Sequence, residues 1–345
     1  MTILSRKNNN KYITYITLIF VLSQALFYAC NDAAPEQTGL EKSAITVKTL
    51  DSVVVTDQKT KITKERKSKF ITAYDSALTL FQTSFSEFDV QTEYGNAHVI
   101  TAGSDNAPPL VLLHGMNATS TMWYPNIKAL ATHYKIYAID FLLEPGKSTC
   151  ISEINDTKSI IDWYFQIFDK LNLKHISIVG ASRGGWLATS ISLRQPDRIS
   201  KLVLLSPAQT FVWIKPNFKI AENIIYSFSP KRKNLRNVLE TLTENVDNIS
   251  QVYLNEYFLA SEKAEIKSSI LKMRPFSKNE FSSLKMPVLV LIGDNDIINS
   301  DKTLSRAKRY LKRVVTKKII HAGHFLSIDQ SEIVNNELIN FLNQK

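Results

Sequence analysis

The sequence contains little cysteine. Cys30 and Cys150 are the only two among 345 residues, and they lie in different contexts, so a framework of disulfides is excluded. A dinucleotide-binding fingerprint is also missing. The tripeptide Gly146-Lys147-Ser148 could be mistaken for part of a phosphate-binding loop, but Phe141 stands where that loop needs a glycine. The sequence therefore argues against nucleotide binding.

The sequence also lacks the marks of a metalloprotein or a nucleic-acid-binding protein. No cluster of histidines and carboxylates has the spacing of metal ligands, and we therefore expect no cofactor. The net charge of +10 arises from 42 Lys and Arg residues that are scattered among 32 Asp and Glu residues. Because the positive charge is not gathered in one stretch, we expect no nucleic-acid partner. With 44% hydrophobic residues, the chain can bury one large core.

Residues 1–30 have the order of a secretory signal, with a basic segment, an apolar run from Tyr12 to Ala29, and then Cys30. The last four residues, Phe27-Tyr28-Ala29-Cys30, resemble a bacterial lipobox, which is cut before the cysteine, whose thiol then carries lipid. This pattern predicts an exported lipoprotein, anchored by its N-terminus on the extracytoplasmic face of a membrane. The alternative is an uncleaved signal anchor, because an apolar run of about 18 residues is just long enough to span a bilayer.

The rest of the chain is predicted to contain a tether and one folded domain. Residues 31–66 are rich in charged residues and Thr and poor in aromatic residues, which favours a flexible tether. The domain is predicted over 67–345. It begins with a helix over 67–85, followed by a hairpin of two strands at 88–93 and 97–102.

Short apolar runs then alternate with amphipathic segments, which predicts strands covered on both faces by helices. The predicted strands are 110–113, 136–139, 176–179, 202–205, 288–292 and 314–320. The predicted helices are 121–133, 155–172, 183–195, 300–312 and 329–343. The alternation stops at about 207–283, and this segment is predicted to be a helical cap over the carboxyl edge of the sheet, where ligands bind.

The strongest motif is Gly180-Ala181-Ser182-Arg183-Gly184, which lies between a predicted strand and a predicted helix. In this context, G-x-S-x-G predicts a nucleophile elbow. The serine would occupy a strained turn, and Gly180 and Gly184 must lack side chains so that strand and helix can pass closely. Ser182 is therefore the candidate nucleophile, and the alternative is an ordinary strand-to-helix turn.

A serine hydroxyl is a weak nucleophile, so it needs a base within hydrogen-bond reach and a third group that orients the base. Two acids follow the predicted strand 288–292. We choose Asp296 because it clears the strand end and can turn toward the site, and we expect Asp294 to form the turn. His324 is the candidate base because Gly323 lets the chain bend before it, whereas His321 would end the last strand.

An oxyanion hole needs backbone N–H groups that are fixed before the reaction. One donor is expected to be the amide of Arg183, which immediately follows the candidate nucleophile. The second is expected in the loop after strand 110–113, where we assign the amide of Met116. We expect the ring of His114 to orient this loop and not to transfer protons.

Together these residues resemble the α/β-hydrolase superfamily over roughly residues 86–345. Three further segments resemble a bacterial subgroup of carboxylesterases and general hydrolases: 92–100, 112–115 and 120–126. The resemblance implies an α/β fold with an eight-stranded, mostly parallel sheet and flanking helices, with the catalytic residues at its carboxyl edge. The segment Phe141–Ser148 departs from the glycine-richer loop that usually follows at this point.

The resemblance implies a serine hydrolase that cleaves a small carboxylic ester or related acyl bond through a Ser182–His324–Asp296 triad and an acyl-enzyme. Two alternatives remain open, a carbon–carbon bond or lactone hydrolase of the same fold, and a non-catalytic binding lipoprotein. Dehalogenation and epoxide opening are less favoured because they ordinarily use aspartate at the nucleophile position. Aromatic residues in the predicted cap favour a hydrophobic acyl or alcohol group: Phe211, Trp213, Phe218, Tyr226, Phe228, Tyr253 and Tyr257.

Overall fold

The computed structural model describes residues 69–154, 156–264 and 272–344, all of which belong to one compact unit, Lys61–Lys345. The predicted signal segment with Cys30 and the predicted tether over 31–66 lie outside the described residues. Among the helices of the described ranges, none combines the length and the apolar character needed to cross a bilayer.

An open sheet of nine strands, mostly parallel, forms the centre of this unit. The strands are β1 Phe85–Thr92, β2 Gly95–Ala102, β3 Pro109–Leu113, β4 Lys135–Ile139, β5 Thr149–Cys150, β6 Ile176–Ala181, β7 Ile199–Leu205, β8 Val288–Gly293 and β9 Val314–Ile319. Eight of them follow the order β1-β2-β4-β3-β6-β7-β8-β9, and β5 pairs with β2. Strand β2 runs antiparallel to β1, β4 and β5, and every other pair is parallel.

The predicted strands are all present, and the sheet differs from the implied eight strands only by β5. This strand has two residues, paired with Gly95 and Asn96. A two-residue strand leaves no periodic pattern in the sequence, which explains why it was missed.

Helices cover the sheet and fill the long segment between β7 and β8. They are α1 69–78, α2 Ile127–Ala131, α3 Thr157–Lys170, α4 Arg183–Arg194, α5 Phe218–Phe228, α6 Arg232–Leu239, α7 Gln251–Lys263, α8 Lys278–Ser282, α9 Asp301–Tyr310, α10 Leu326–Asp329 and α11 Ser331–Asn343. Helices α5–α8 lie in the segment predicted as the cap, of which residues 265–271 are outside the described ranges.

Two of the predicted helices are wrong in their bounds. The helix predicted over 121–133 is a 3-10 helix, Ser120–Trp123, followed by α2. Pro125 lies between the two and lacks the N–H that a continuous helix needs. The helix predicted over 67–85 ends near Phe81, because Gln82 has a left-handed backbone with φ of 50°.

Both faces of the sheet carry a hydrophobic core. In β6, Ile178 packs into one layer and Val179 into the other, and Val290 and Leu289 divide in the same way in β8. All four side chains are fully buried. This two-sided burial explains why these strands are continuously apolar. Because β3, β6 and β8 run parallel, the segments that follow them leave the sheet at the same edge.

Candidate active site

Ser182 occupies a sharp turn between β6 and α4. Its φ of 52° and ψ of −117° are strained for a residue with a side chain. A Cβ atom on Gly180 would lie 2.2 Å from the carbonyl oxygen of Gly184, and one on Gly184 would lie 2.2 Å from that of Leu113. Only glycine allows these approaches, so the turn has the geometry of the predicted elbow.

Ser182, His324 and Asp296 form a chain of hydrogen bonds. His324 Nε2 lies 2.9 Å from Ser182 Oγ, and His324 Nδ1 lies 3.0 Å from Asp296 Oδ1. An ionised carboxylate can only accept, so Nδ1 carries the ring proton and Nε2 accepts from the serine hydroxyl. The structure thus brings together three residues that were singled out from distant parts of the sequence, in the arrangement required of a nucleophile and its base.

Asp296 is held in its ionised form inside the protein. Its Oδ1 accepts a hydrogen bond from the Ile298 amide at 2.8 Å, and its Oδ2 accepts one from Asn299 Nδ2 at 2.9 Å. Burial by itself raises the pKa of this carboxyl, but His324 and the two donors outweigh burial and keep the pKa below its ordinary value. Asp296 can therefore orient and stabilise a protonated imidazole.

Asp294 and His321 take other positions. Asp294 Oδ1 accepts a hydrogen bond from the Ala322 amide at 3.0 Å, which supports the turn as expected. His321 is exposed and lies in the turn after β9, which ends at Ile319, so it does not end the strand as predicted. Within the described ranges, no group of three or more His, Cys, Asp or Glu side chains is arranged to hold a metal ion.

Asp329 supports the loop that carries His324. Its Oδ2 accepts hydrogen bonds from the Gly323 amide at 2.8 Å and from the Glu244 amide at 3.1 Å. The Asp329 carboxylate thereby joins the histidine loop to the segment after α6. No sequence motif indicates this role, because Asp329 lies in a helical pattern and two of its partners, Gly323 and Glu244, lie in other segments.

The loop after β3 is fixed by hydrogen bonds to the carbonyl oxygen of Gly115. His114 Nδ1 lies 2.8 Å from this oxygen, and Arg183 Nη2 lies 3.4 Å from it. The Phe141 amide donates to His114 Nε2 at 2.8 Å, so the ring proton is on Nδ1 and points at Gly115. Burial lowers the pKa of His114 to about 4, so the ring is neutral at neutral pH. His114 orients the loop, as expected.

A buried ion pair completes this arrangement. The guanidinium of Arg183 contacts the carboxylate of Glu144, and each side chain is 3% exposed. Glu144 Oε2 also accepts a hydrogen bond from the Asn117 amide at 2.8 Å, and Phe141 stacks under the guanidinium at 4.7 Å. We call these three hydrogen-bonded contacts, Arg183 to Gly115, Arg183 to Glu144 and Glu144 to Asn117, the Arg183 clamp. Glu144 belongs to the segment that departs from the family pattern, which was the only sequence signal for it.

The two amides assigned to the oxyanion hole are available for hydrogen bonding. Within the described part of the chain, neither the Met116 N–H nor the Arg183 N–H donates to another group. Arg183 begins α4, where amides have no partner within the helix. The loop lies close to the serine, because a Cβ atom on Gly115 would be 3.5 Å from Ser182 Cβ.

A buried carboxyl group joins α7 to the same loop. Glu256 is fully buried, and its two oxygens lie 3.1 Å from Thr119 Oγ1 and 3.2 Å from Thr121 Oγ1. The two threonine oxygens are themselves 2.9 Å apart. Three contacts need three protons, and the threonines supply two, so a protonated Glu256 completes the ring of hydrogen bonds. Burial raises the pKa of Glu256 to about 8, which agrees with a neutral acid.

The family follows from comparison with known proteins. A model described as alpha/beta hydrolase fold matches residues 108–331. The chain belongs to the α/β-hydrolase family. This hydrolase is 30% identical over 287 residues to the carboxylesterase nap of Bacillus subtilis (strain 168), a match that covers 80% of this chain and 92% of that protein. It is 27% identical to carboxylesterase YbfK of the same strain, over 79% of this chain and 93% of the relative.

Solved structures give the same result. The crystal structure of naproxen esterase (carboxylesterase NP) from Bacillus subtilis superposes on this hydrolase with a TM-score of 0.76 at 26% identity. The match covers 81% of this chain and 98% of that one. The hydrolase therefore shares its architecture, and not only a motif, with carboxylesterases.

Replacing Glu256 by glutamine should flatten the pH dependence of this hydrolase's stability. The folded chain keeps the Glu256 proton up to about pH 8, whereas the unfolded chain releases it near the ordinary pKa of 4.5. The free energy of unfolding of the wild type should therefore fall as the pH rises through this interval. Denaturant titrations at the two ends of this pH interval should show a larger fall in the free energy of unfolding for the wild type than for Glu256→Gln.

Glu262→Gln is the matched control, because Glu262 is an exposed glutamate on the same helix. This variant should keep the wild-type dependence. A Glu256→Gln protein whose stability falls as steeply as that of the wild type would contradict the assignment of a neutral acid.

Proposed function

We propose that this carboxylic ester hydrolase works through a Ser182–His324–Asp296 triad and an acyl-enzyme intermediate. The observation that carries the proposal is the position of the His324 ring, 2.9 Å from Ser182 Oγ and 3.0 Å from Asp296 Oδ1. His324 Nε2 takes the hydroxyl proton as Ser182 Oγ attacks the acyl carbon, and then gives it to the departing alcohol. Water repeats the attack, with His324 again as the base, and releases the acid and free Ser182.

The negative charge of the tetrahedral intermediate would be bound by the amides of Met116 and Arg183. The Gly115 carbonyl and the Met116 N–H belong to one peptide unit, and in a trans peptide they point in opposite directions. The His114 ring and the Arg183 guanidinium hold the carbonyl, and so they fix the direction of the Met116 N–H. This support against a peptide flip favours a hole that exists before substrate binds.

A carboxylic ester is favoured as the substrate class because the two relatives described above, which match about four fifths of this chain, are named carboxylesterases. Carbon–carbon bond cleavage and lactone hydrolysis would use the same triad, and no contact in the described site favours either. A purely binding role would leave unexplained why a strained serine, a base and an ionised acid are aligned. A small molecule is therefore the proposed partner of the site.

We also propose that the chain is exported and anchored through Cys30, from the lipobox-like sequence at residues 27–30. Mass spectrometry of the protein purified from bacterial membranes should show a mature chain that begins at Cys30 and carries the mass of attached lipid. Cys30→Ser should lack that mass. A wild-type chain that has the full-length mass without lipid would contradict lipidation and support the signal anchor.

The triad is tested by three substitutions. Ser182→Ala should abolish ester hydrolysis and labelling by a fluorophosphonate probe, because both need the serine oxygen. Asp296→Asn should lower kcat by about 10⁴-fold, since an amide cannot hold the ring in the required tautomer. Asp294→Asn is the control and should retain activity, because its amide oxygen can still accept from Ala322.

Hydrolysis that survives in Ser182→Ala would contradict the mechanism. A folded wild type that neither hydrolyses nor labels would favour the binding role. A panel of esters, lactones and diketones, assayed with the same proteins, should show the highest kcat/KM for esters.

The Arg183 clamp is tested by Glu144→Gln, which keeps the shape of the side chain and removes its charge. With the guanidinium less firmly held, the Met116 amide should lose its fixed direction, and kcat should fall by about 10²-fold with little change in KM. Affinity for a trifluoromethyl ketone, which forms an oxyanion on Ser182, should fall by a similar factor. The control Glu280→Gln breaks an exposed ion pair with Arg274 and should change neither quantity.

Circular dichroism should first establish that Glu144→Gln is folded. If the folded variant binds the ketone as tightly as the wild type does, the Arg183 clamp does not position the oxyanion hole.

A further inference from the structure

Helix α5 presents an apolar face to solvent. At 100° per residue, Phe218, Ala221, Ile224, Ile225 and Phe228 fall on one side of the helix. Phe218, Ile225 and Phe228 are 62%, 60% and 71% exposed. A helix on the surface of a globular protein normally turns its apolar side inward. This side of α5 therefore lacks a partner within the described chain.

The orientation of α5 is set by its other side. Ile220 and Tyr226 are buried, and Ser227 Oγ lies 3.4 Å from Asn117 Nδ2 in the loop after β3. The exposed side is thus not the side that attaches the helix to the protein. Because Asn117 follows Met116, the exposed helix lies next to the candidate active site.

The aromatic residues of the predicted cap fall into two groups. Four are buried and are explained by packing: Phe211, Tyr226, Tyr253 and Tyr257. The other three, Trp213, Phe218 and Phe228, are more than 60% exposed and face solvent. The expectation that the cap aromatics favour a hydrophobic acyl or alcohol group stays a prediction, and these three exposed residues do not support it.

The segment that contains α5 carries a net positive charge. Between residues 211 and 239 the sequence has six Lys and Arg residues and a single acid, Glu222. Arg232 and Arg236 are held by neighbouring side chains. The four lysines are exposed and form no ion pair with another described residue: Lys215, Lys219, Lys231 and Lys233.

We propose that this surface docks on a membrane that contains anionic phospholipid. We define the docking face as Trp213, the apolar side of α5 and the three lysines of the flanking segments, Lys215, Lys231 and Lys233. Exposed aromatic and aliphatic side chains beside lysines match the boundary between acyl chains and phosphate headgroups. A second copy of the chain fits less well, because a twofold contact would bring the lysines of one docking face against those of the other.

Docking is a property of the surface and does not depend on the proposed triad. It would bring the loop that contains Met116 and Asn117 close to the bilayer. The Ser182→Ala protein should therefore dock as the wild type does, which separates a failure of this proposal from a failure of the proposed function.

Trp213 is a natural probe for docking. It is 63% exposed, whereas Trp123, Trp163 and Trp186 are at most 6% exposed. The full-length protein should be mixed with vesicles of phosphatidylglycerol and brominated phosphatidylcholine, because bromine on the acyl chains quenches only a tryptophan that reaches them. Fluorescence of the wild type should be quenched, and quenching should disappear in Trp213→Phe. Vesicles without phosphatidylglycerol should give markedly weaker quenching.

Two variants test the two components of the docking face. Removing apolar contact in the double variant Ile225→Ser, Phe228→Ser should lower the apparent partition coefficient, measured from Trp213 quenching, by at least about tenfold. Reversing charge in Lys231→Glu, Lys233→Glu should lower it by about tenfold on anionic vesicles. The control Ile320→Ser changes an isoleucine that is exposed outside the docking face and should match the wild type.

Quenching of Trp213 reports on the docking face even if the N-terminus already holds the chain on the vesicle. Wild-type protein that is bound to anionic vesicles without quenching of Trp213 would overturn the proposal. Equal quenching of the wild type and the two double variants would overturn it as well. A dimer without lipid that is lost in Ile225→Ser, Phe228→Ser would assign the face to a second copy and would also overturn it.

Discussion

The carbonyl oxygen of Gly115 is the point on which the candidate site depends. It accepts one hydrogen bond from the ring of His114, in the same loop, and another from the guanidinium of Arg183, in the turn that carries Ser182. Through Arg183 it is joined to Glu144, in the loop after β4. The segments that follow β3 and β6 thus meet at one oxygen atom, and the loop after β4 is joined to them through the pair of Glu144 and Arg183.

Burial of so many polar groups is tolerated because each is neutral or paired. His114 is neutral because burial disfavours its charged form, and Glu256 is neutral for the same reason. Arg183 is charged, but Glu144 accompanies it, and losing one partner of a buried pair is strongly destabilising. Asp296 is the buried charge that faces His324, where a positive charge develops in the proposed reaction. In the proposed reaction, charge therefore changes mainly on the reacting groups themselves, and the buried residues around them keep their charge state.

Much of this architecture could be predicted from local patterns, and the remainder depends on contacts between distant segments. The apolar runs located the strands because two-sided burial requires them, and Ser182, Asp296 and His324 were recognised because each follows a strand in a glycine-containing turn. The catalytic roles of these three residues stay predictions. Glu256 could not be found in this way, since its threonine partners are 137 and 135 positions away and no local pattern connects them.

The oxyanion hole is tested most directly by a crystal structure of the protein inhibited covalently at Ser182 by a phosphonate ester, whose phosphoryl oxygen mimics the oxyanion. This oxygen should lie about 2.7–3.1 Å from the amide nitrogens of both Met116 and Arg183. The Gly115 carbonyl should still be bound to His114 and Arg183. An adduct in which the Gly115–Met116 peptide is reversed, with its carbonyl oxygen turned toward the inhibitor, would contradict the claim that the Arg183 clamp prepares the site.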